Sequence, residues 1–525
     1  MRNSTRSLKA KTCFCALMIA LPAAVLFANT RHAYAQTAED NDVDGAKSTV
    51  QTAIRSFAAA HRQTDSKSAL EAFYAARNYR PAWMGSEAAF QRGLQVQAML
   101  KKADSHGLDP GDYALAAPGT SERTSPADAA LYDVALTDSL LRYARDVQFG
   151  LVSPDAVYRD IDLPKRKRES LTQIARNLDA ESFDSFIEGL APAHAQYRGL
   201  ARALARYHDI AVAGGWPSIF SSNQDDPLNR KLLIKRLAAE DTTLAKTPNP
   251  SGEMLQAAIT RYQSRNGLKP DGQLGPGTMA SLNVSVTSRM EQIAANLERW
   301  RWMPASFESR YIVINIPDQT LEFVRDDNVV MKSRVMVGKK STRSPILRAQ
   351  ARTLVVNPPW NVPTDIADRQ ILPNLKRDPN YLASRNMVVV DGQIRQRPGP
   401  NSAMGTLMLD APNRFDVYLH DTPGKAAFQN DNRELSNGCI RVQNMTDLAS
   451  LALAGSKPTE PLKDIIASRK TTRLTLDDPL PIYMVYWTAI ADGAGNVEFR
   501  PDRYERDPPL IKALANARNR DDGQG

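Results

Sequence analysis

Hydrophobic residues fall into three regimes along the chain. From about Val50 to Lys246 the spacing is helical: Leu70, Phe73 and Tyr74, with Arg77, share one face, as do Leu136, Leu140, Leu141, Tyr143 and Ala144. Turn residues such as His106-Gly107-Leu108-Asp109-Pro110-Gly111 interrupt these runs. Pro248-Asn249-Pro250-Ser251-Gly252 reads as a linker into a compact unit. There Leu255, Ile259 and Tyr262 stand at i, i+4 and i+7 of a helix, glycine turns follow, and Thr278–Leu282 predicts a second short helix. A further helix is predicted over Ile293–Trp302. Past Pro304 the period changes. Tyr311–Ile316 is apolar on both faces, as a buried strand requires. Thr320–Val324, Val329–Val337, Thr353–Val356 and Asp416–His420 predict further strands. A Pro-rich, less regular insertion lies between Pro363 and Pro412, long enough to act as a lid or binding element. The residues after Asp492 are polar and are expected to be peripheral. The fold class is therefore multidomain α+β: a helical N-terminal scaffold, a small helical module and a mostly β domain.

Composition narrows the class. The chain has 525 residues, 42% hydrophobic and 24% charged, which is ordinary for globular domains and excludes wholesale disorder or coiled coil. The net charge is +9, but five of those charges (Arg2, Arg6, Lys9, Lys11 and Arg31) lie in the first 35 residues. The remainder is only mildly basic, and no Lys/Arg run with interleaved aromatics follows, so no nucleic-acid partner is expected. A basic start, an apolar run from Cys13 to Ala28 and Ala33-Tyr34-Ala35 form the pattern of a secretory signal peptide, residues 1–35, with cleavage near Ala35. An uncleaved anchor is the alternative reading of this segment; cleavage would remove Cys13 and Cys15. A single thiol, Cys439, then remains, with no partner for an internal disulfide.

That thiol sits in a suggestive context. Between Asp209 and Gly525 there is one histidine, His420, and one cysteine, Cys439, 19 residues later. His420 ends a strand and precedes Asp421-Thr422-Pro423-Gly424. Cys439 follows Ser436-Asn437-Gly438 and precedes Ile440-Arg441-Val442. Strand ends and tight turns deliver side chains to clefts rather than cores. An imidazole that takes the thiol proton makes a nucleophile, and the amides of Gly438 and Cys439 are candidate oxyanion donors. On residue types alone a small buried hydrophobe and a satisfied core histidine stay equally open. One Cys and one His make too few ligands for zinc, and His61, His106, His194 and His208 are scattered without metal-ligand spacing. No P-loop, Rossmann glycine pattern or Gly-x-Ser-x-Gly elbow occurs.

Two resemblances sharpen this. Leu255-Gln256, Ile259, Tyr262-Gln263, Gly267-Leu268, Asp271-Gly272, Leu274-Gly275-Pro276, Thr278 and Leu282-Asn283 resemble the peptidoglycan-binding domain of cell-wall enzymes. Tyr418-Leu419-His420-Asp421-Thr422-Pro423 and Leu435-Ser436-Asn437-Gly438-Cys439-Ile440-Arg441-Val442 resemble the active-site signature of the L,D-transpeptidases, the YkuD domain. Ala72–Pro81, Glu298–Trp302, Asn357–Pro363 and Arg397–Asn401 resemble the long periplasmic, YcbB-like subgroup. The resemblance implies a signal peptide over 1–35, a flexible leader over 36–49 and a helical scaffold over 50–246. It then implies a peptidoglycan-binding domain over 251–284, a catalytic domain over 309–486 with a lid at about 364–412, and a C-terminal tail over 487–525. It puts the nucleophile on Cys439 and the general acid/base on His420. Ser436 falls where a residue orients that histidine, and Arg441 falls on a recurrent arginine that serves either a structural salt bridge or the substrate. Asn437 departs from the pattern, since many members carry histidine there. The implied reaction joins peptidoglycan tetrapeptide stems, donor and acceptor, through a thioester, giving a 3→3 cross-link without metal or cofactor. Water or an outer-membrane protein are alternative acceptors, carbapenem-type β-lactams are implied inhibitors, and the periplasm is the implied location. A non-catalytic wall-binding scaffold is the rival from another class; loss of Cys or His would have favoured it, and both are present.

Overall fold

The computed structural model describes residues 43–61, 64–115, 125–165, 171–178, 183–224, 226–456 and 460–522. The predicted signal peptide and residues 36–42 of the leader lie outside the described residues. The chain divides into two compact units.

The first unit is helical, as expected. Its helices include α1 (Val43–His61), α2 (Thr64–Ala75), α3 (Glu87–Leu100) and α4 (Pro126–Phe149). Leu70, Phe73 and Tyr74 are buried on α2, and Leu136, Leu140 and Leu141 on α4. Asp133 of α4 organises the turn after α2. Its carboxylate accepts from the amides of Ala82, Trp83 and Met84 at 2.9, 2.8 and 3.1 Å and from the Tyr74 hydroxyl at 2.6 Å. Four donors on one buried carboxylate satisfy a charge that would otherwise be costly to bury.

The expected scaffold boundary at 246 is too late: the first unit ends at Ala191, and α5 (Ala195–Val212) belongs to the second. The expected module at 251–284 is likewise not self-contained. Helices α6 (Pro227–Ala238) and α7 (Thr242–Ala245) share one core with α8 (Gly252–Arg265) and α9 (Pro276–Leu282). Leu233, Leu237 and Leu244 pack in the same cluster as Leu255, Ile259, Tyr262 and Leu282. Two short helices bury too little apolar surface to stand alone, at ~1.5–3 kcal/mol per large side chain. The polar Pro248–Gly252 stretch is thus a turn inside a domain.

Helix α10 (Val286–Arg301) leads into a β domain. Its strands are β1 (Ile161–Asp162), β2 (Arg310–Asn315), β3 (Thr320–Arg325), β4 (Asn328–Gly338), β5 (Ile346–Val356), β6 (Trp360–Asn361), β7 (Met387–Val390), β8 (Gln393–Gln396), β9 (Leu407–Asp410), β10 (Leu419–His420), β11 (Glu434–Ser436), β12 (Ile440–Val442) and β13 (Thr472–Val485). The main sheet runs β1-β5-β13-β2-β3-β4-β12-β10-β9. Strand β9 also pairs with β5, so the sheet closes on itself. Strand β13 was not legible because Asp477-Asp478-Pro479 reads as a turn. The structure absorbs it as a register shift between Thr475 and Leu480 of one long strand.

The insertion is more ordered than its sequence suggests. Strands β6, β8 and β7 form a separate small sheet, and Val362, Ile366, Ile371, Met387 and Ile394 form its core. Its end at 412 is also corrected, because β9 already belongs to the main sheet. The expected strand over Asp416–His420 shrinks to β10, since Asp416 adopts a left-handed φ of 52°.

The C-terminal segment is not a peripheral tail. Strands β14 (Ala489–Ala491) and β15 (Val497–Phe499) form a hairpin, and α11 (Asp507–Asp522) follows. Arg299 of α10 pairs with Asp507 at 2.6 Å, both buried. Tyr504 and Arg506 are buried too. Their polar ends pair inside the protein, which a hydropathy pattern does not reveal.

Candidate active site

The parallel pairing of β10 with β12 builds the site. Leu419 lies opposite Ile440 and His420 opposite Arg441. Side chains alternate along a strand, and paired residues project to the same side. Tyr418 and His420 therefore share a face with Cys439 and Arg441. By that register Cys439 falls one position before the Ile440 that pairs with Leu419, diagonal to His420 across the two strands. The Tyr418 and His420 rings meet edge to face at 5.9 Å.

Cys439 is half-buried, and its Sγ lies 3.9 Å from the Asp416 carbonyl. Burial raises the thiol pKa, while hydrogen bonds from the Tyr418 backbone and side chain and the Arg441 charge oppose that rise. His420 is buried more deeply than a cleft-projecting side chain is expected to be, at 4% exposure. Its pKa falls to about 4, first through burial and then through the Arg441 charge. Both shifts favour the uncharged forms, the thiol of Cys439 and the neutral imidazole of His420. The His420 Nδ1 is buried without a hydrogen-bond partner, so a ring nitrogen is available to take a proton. The backbone of Asp421 and Met404 partly offsets the fall in the His420 pKa. Asp421 accepts from the Thr406 amide at 3.0 Å, which ties the loop bearing the histidine to the end of the insertion.

Two expectations change. Ser436 does not orient His420: its hydroxyl donates to the Cys439 carbonyl at 2.6 Å and accepts from the Gly438 amide at 3.1 Å. It braces the turn that presents the thiol, and it occupies the Gly438 amide, which is thereby removed from the candidate oxyanion donors. Gly438 has φ 122°, a conformation L side chains rarely adopt, so this position demands glycine. Asn437 lies in the same turn. Arg441 makes no ion pair among the described residues, and its Nε is buried without a partner. Its charge instead acts on Cys439 and His420. Tyr418 was not singled out as a site residue; its place two residues before His420 on a strand was the available signal. Among the described residues, no group of three His, Cys, Asp or Glu side chains could hold a metal ion.

Three segments of the chain match known families. Residues 309–460 match the YkuD family, described as "L,D-transpeptidase catalytic domain". Residues 68–204 match a family described as "Scaffold domain", and residues 229–282 one described as "Putative peptidoglycan binding domain". The last range includes α6 and α7, as the shared core does. A Haemophilus influenzae protein named "Putative L,D-transpeptidase" is 34% identical over 248 residues, which are 43% of this chain and 50% of that protein. The chain thus spans half the length of that relative. An L,D-transpeptidase from Mycobacterium smegmatis aligns at 14% identity over 34% of this chain and 58% of its own, with TM-score 0.21. One from Stackebrandtia nassauensis aligns at 12% identity over 51% and 96%, with TM-score 0.20. The chain carries a YkuD-type L,D-transpeptidase catalytic domain together with a peptidoglycan-binding domain and a Scaffold domain.

Proposed function

We propose that the protein is an L,D-transpeptidase that forms 3→3 cross-links between meso-diaminopimelate residues of peptidoglycan, with Cys439 as nucleophile and His420 as general acid/base. What supports this reading is the parallel register of β10 with β12, which puts Cys439 on the same face as His420; Cys439 is the chain's one described free thiol, and His420 is a buried imidazole with an unpartnered Nδ1. His420 takes the Cys439 proton as sulfur attacks the carbonyl between meso-diaminopimelate and D-Ala of a tetrapeptide stem. The carbon–nitrogen bond breaks, and the nitrogen of D-Ala leaves with the proton from His420. The amine of an acceptor stem then attacks the thioester. His420 takes its proton and returns it to the thiol. The peptidoglycan-binding domain would hold the polymer near the site, and export by the signal peptide would put the enzyme in the periplasm.

Incubation of the chain lacking residues 1–35 with disaccharide-tetrapeptide, followed by mass analysis, tests this. Expected products are free D-Ala and a tetrapeptide–tripeptide dimer. Tripeptide without dimer would make the protein an L,D-carboxypeptidase instead, and no release of D-Ala at all would sink the enzymatic reading.

A further inference from the structure

The turn that presents Cys439 is held from beneath by a residue far away in sequence. Ser344 is fully buried, and its hydroxyl donates to the Gly438 carbonyl at 2.6 Å. The same hydroxyl accepts from the Gly338 amide at 2.9 Å. A side chain at Gly338 would put Cβ 2.1 Å from the Thr342 carbonyl oxygen, so the chain folds tightly between 338 and 344. That bend also reaches the turn a second way: Thr342 Oγ1 and the Lys339 amide both donate to the Ser436 carbonyl, at 3.2 and 3.0 Å.

Behind Ser344 stands the C-terminal segment. The Tyr504 hydroxyl donates to the Gly338 carbonyl at 2.5 Å and accepts from the Ser344 amide at 3.4 Å. Arg506 donates to the Ser344 carbonyl at 3.2 Å and pairs with Asp160 at 2.5 Å. Every polar atom of Ser344 is therefore engaged, its hydroxyl toward the catalytic turn and its backbone toward residues 504 and 506.

The Gly438 carbonyl and the Cys439 amide belong to one peptide, which is planar. Pinning the oxygen fixes the plane and aims the Cys439 N–H the opposite way. Ser436 has already taken the Gly438 amide, so the Cys439 amide is the donor this turn can offer to a developing oxyanion. We propose that Ser344 is a positioning residue that sets the direction of the Cys439 amide through the Gly438 carbonyl, with Tyr504 and Arg506 holding Ser344 in place. The inference rests on the reading of Cys439 as the acylated nucleophile.

The test compares two reactions of the same thiol. Acylation by a carbapenem needs an oxyanion donor, whereas alkylation by iodoacetamide does not. Ser344→Ala should slow acylation about 10- to 100-fold, below the ~10²–10³ for outright loss of a donor. Alkylation should stay within about twofold of wild type, a rate-ratio criterion that general loosening would not meet. Tyr504→Phe keeps the ring and should slow acylation less, by about 3- to 10-fold, which provides a second measurement should Ser344→Ala fold poorly. Wild-type acylation in both variants overturns the inference, and so does a parallel fall in both reactions. A wild-type protein that is alkylated at Cys439 but never acylated would instead overturn the functional reading, and with it this one.

Discussion

The turn over Ser436–Cys439 and the insertion between β6 and β9 are held in different ways. The turn is braced by Ser436 from within, by Ser344 and Thr342 from below, and its supporting serine is fully buried. The insertion has a core of five residues exposed by 5–8%, whereas its neighbouring main-sheet strand β5 holds Leu354 and Val356 at 0%. Nucleophile geometry tolerates little displacement, since misplacement by an ångström can cost about a hundredfold in rate. Segments that open and close over a site come from the weakly packed end of a structure. The contrast predicts slower amide exchange in the turn than in the insertion.

The largest expected effect tests the turn. Cys439→Ala should reduce dimer formation to background, measured by product mass, because no other described free thiol exists to carry the acyl group. Circular dichroism should be unchanged, since the thiol is half-buried and bonded only weakly. His420→Ala should cost about 10²–10⁴-fold, the usual worth of general acid–base catalysis. Residual turnover above that range would mean that another group moves the proton.

The pH dependence follows from the same face of β10 and β12. A base whose pKa is about 4 stays neutral across the physiological range, so the acidic limb of kcat/KM should lie near pH 4 rather than near 6.5. Arg441→Gln removes the positive charge that opposes protonation of His420. Its acidic limb should therefore move to higher pH, with a smaller loss at neutral pH than His420→Ala shows. An unmoved limb would restrict Arg441 to packing or substrate contact. The lowered pKa also has a stability consequence. Between pH 6.5 and about 4 the unfolded chain binds a proton that folded His420 refuses, so stability should fall as pH drops through that window.

What could be read from the sequence divides along local lines. The helical face of Leu255, Ile259 and Tyr262 and the buried strand over 311–316 depend on residues close in the chain, and the placement of His420 and Cys439 at strand ends on a recognisable spacing. The braces on the turn do not. Ser344 lies 94 residues from Gly438, and Tyr504 and Arg506 lie 160 and 162 residues from Ser344. Serine, tyrosine and arginine carry no periodic signal, and their partners are backbone carbonyls and amides, which every residue offers. The C-terminal segment reads as a polar tail for the same reason: Arg299, Asp507 and Arg506 hide their charges in pairs that only the fold creates. The burial of His420 and the vacancy of Nδ1 are likewise properties of packing, not of composition.

The smallest expected effect tests the insertion. Ile394 sits in the insertion core, 8% exposed, on β8 between β6 and β7. Ile394→Ala should weaken that small sheet by about 2 kcal/mol, the low end of such core truncations. The main sheet does not depend on this cluster, so global melting should change little. Amide exchange across 364–406 should accelerate, while alkylation of Cys439 stays at the wild-type rate. Transpeptidation should fall by a few-fold at most, because loosening the cover lowers the fraction of time it is closed without disturbing the turn. Acylation by a carbapenem should slow exchange over the same residues in the wild type if the segment closes on the acyl group. Unchanged exchange in a fully acylated enzyme would make the insertion a fixed wall. A fall in Cys439 alkylation in Ile394→Ala would show instead that insertion and turn are one mechanical unit, joined through Thr406, Asp421 and the loop that carries His420.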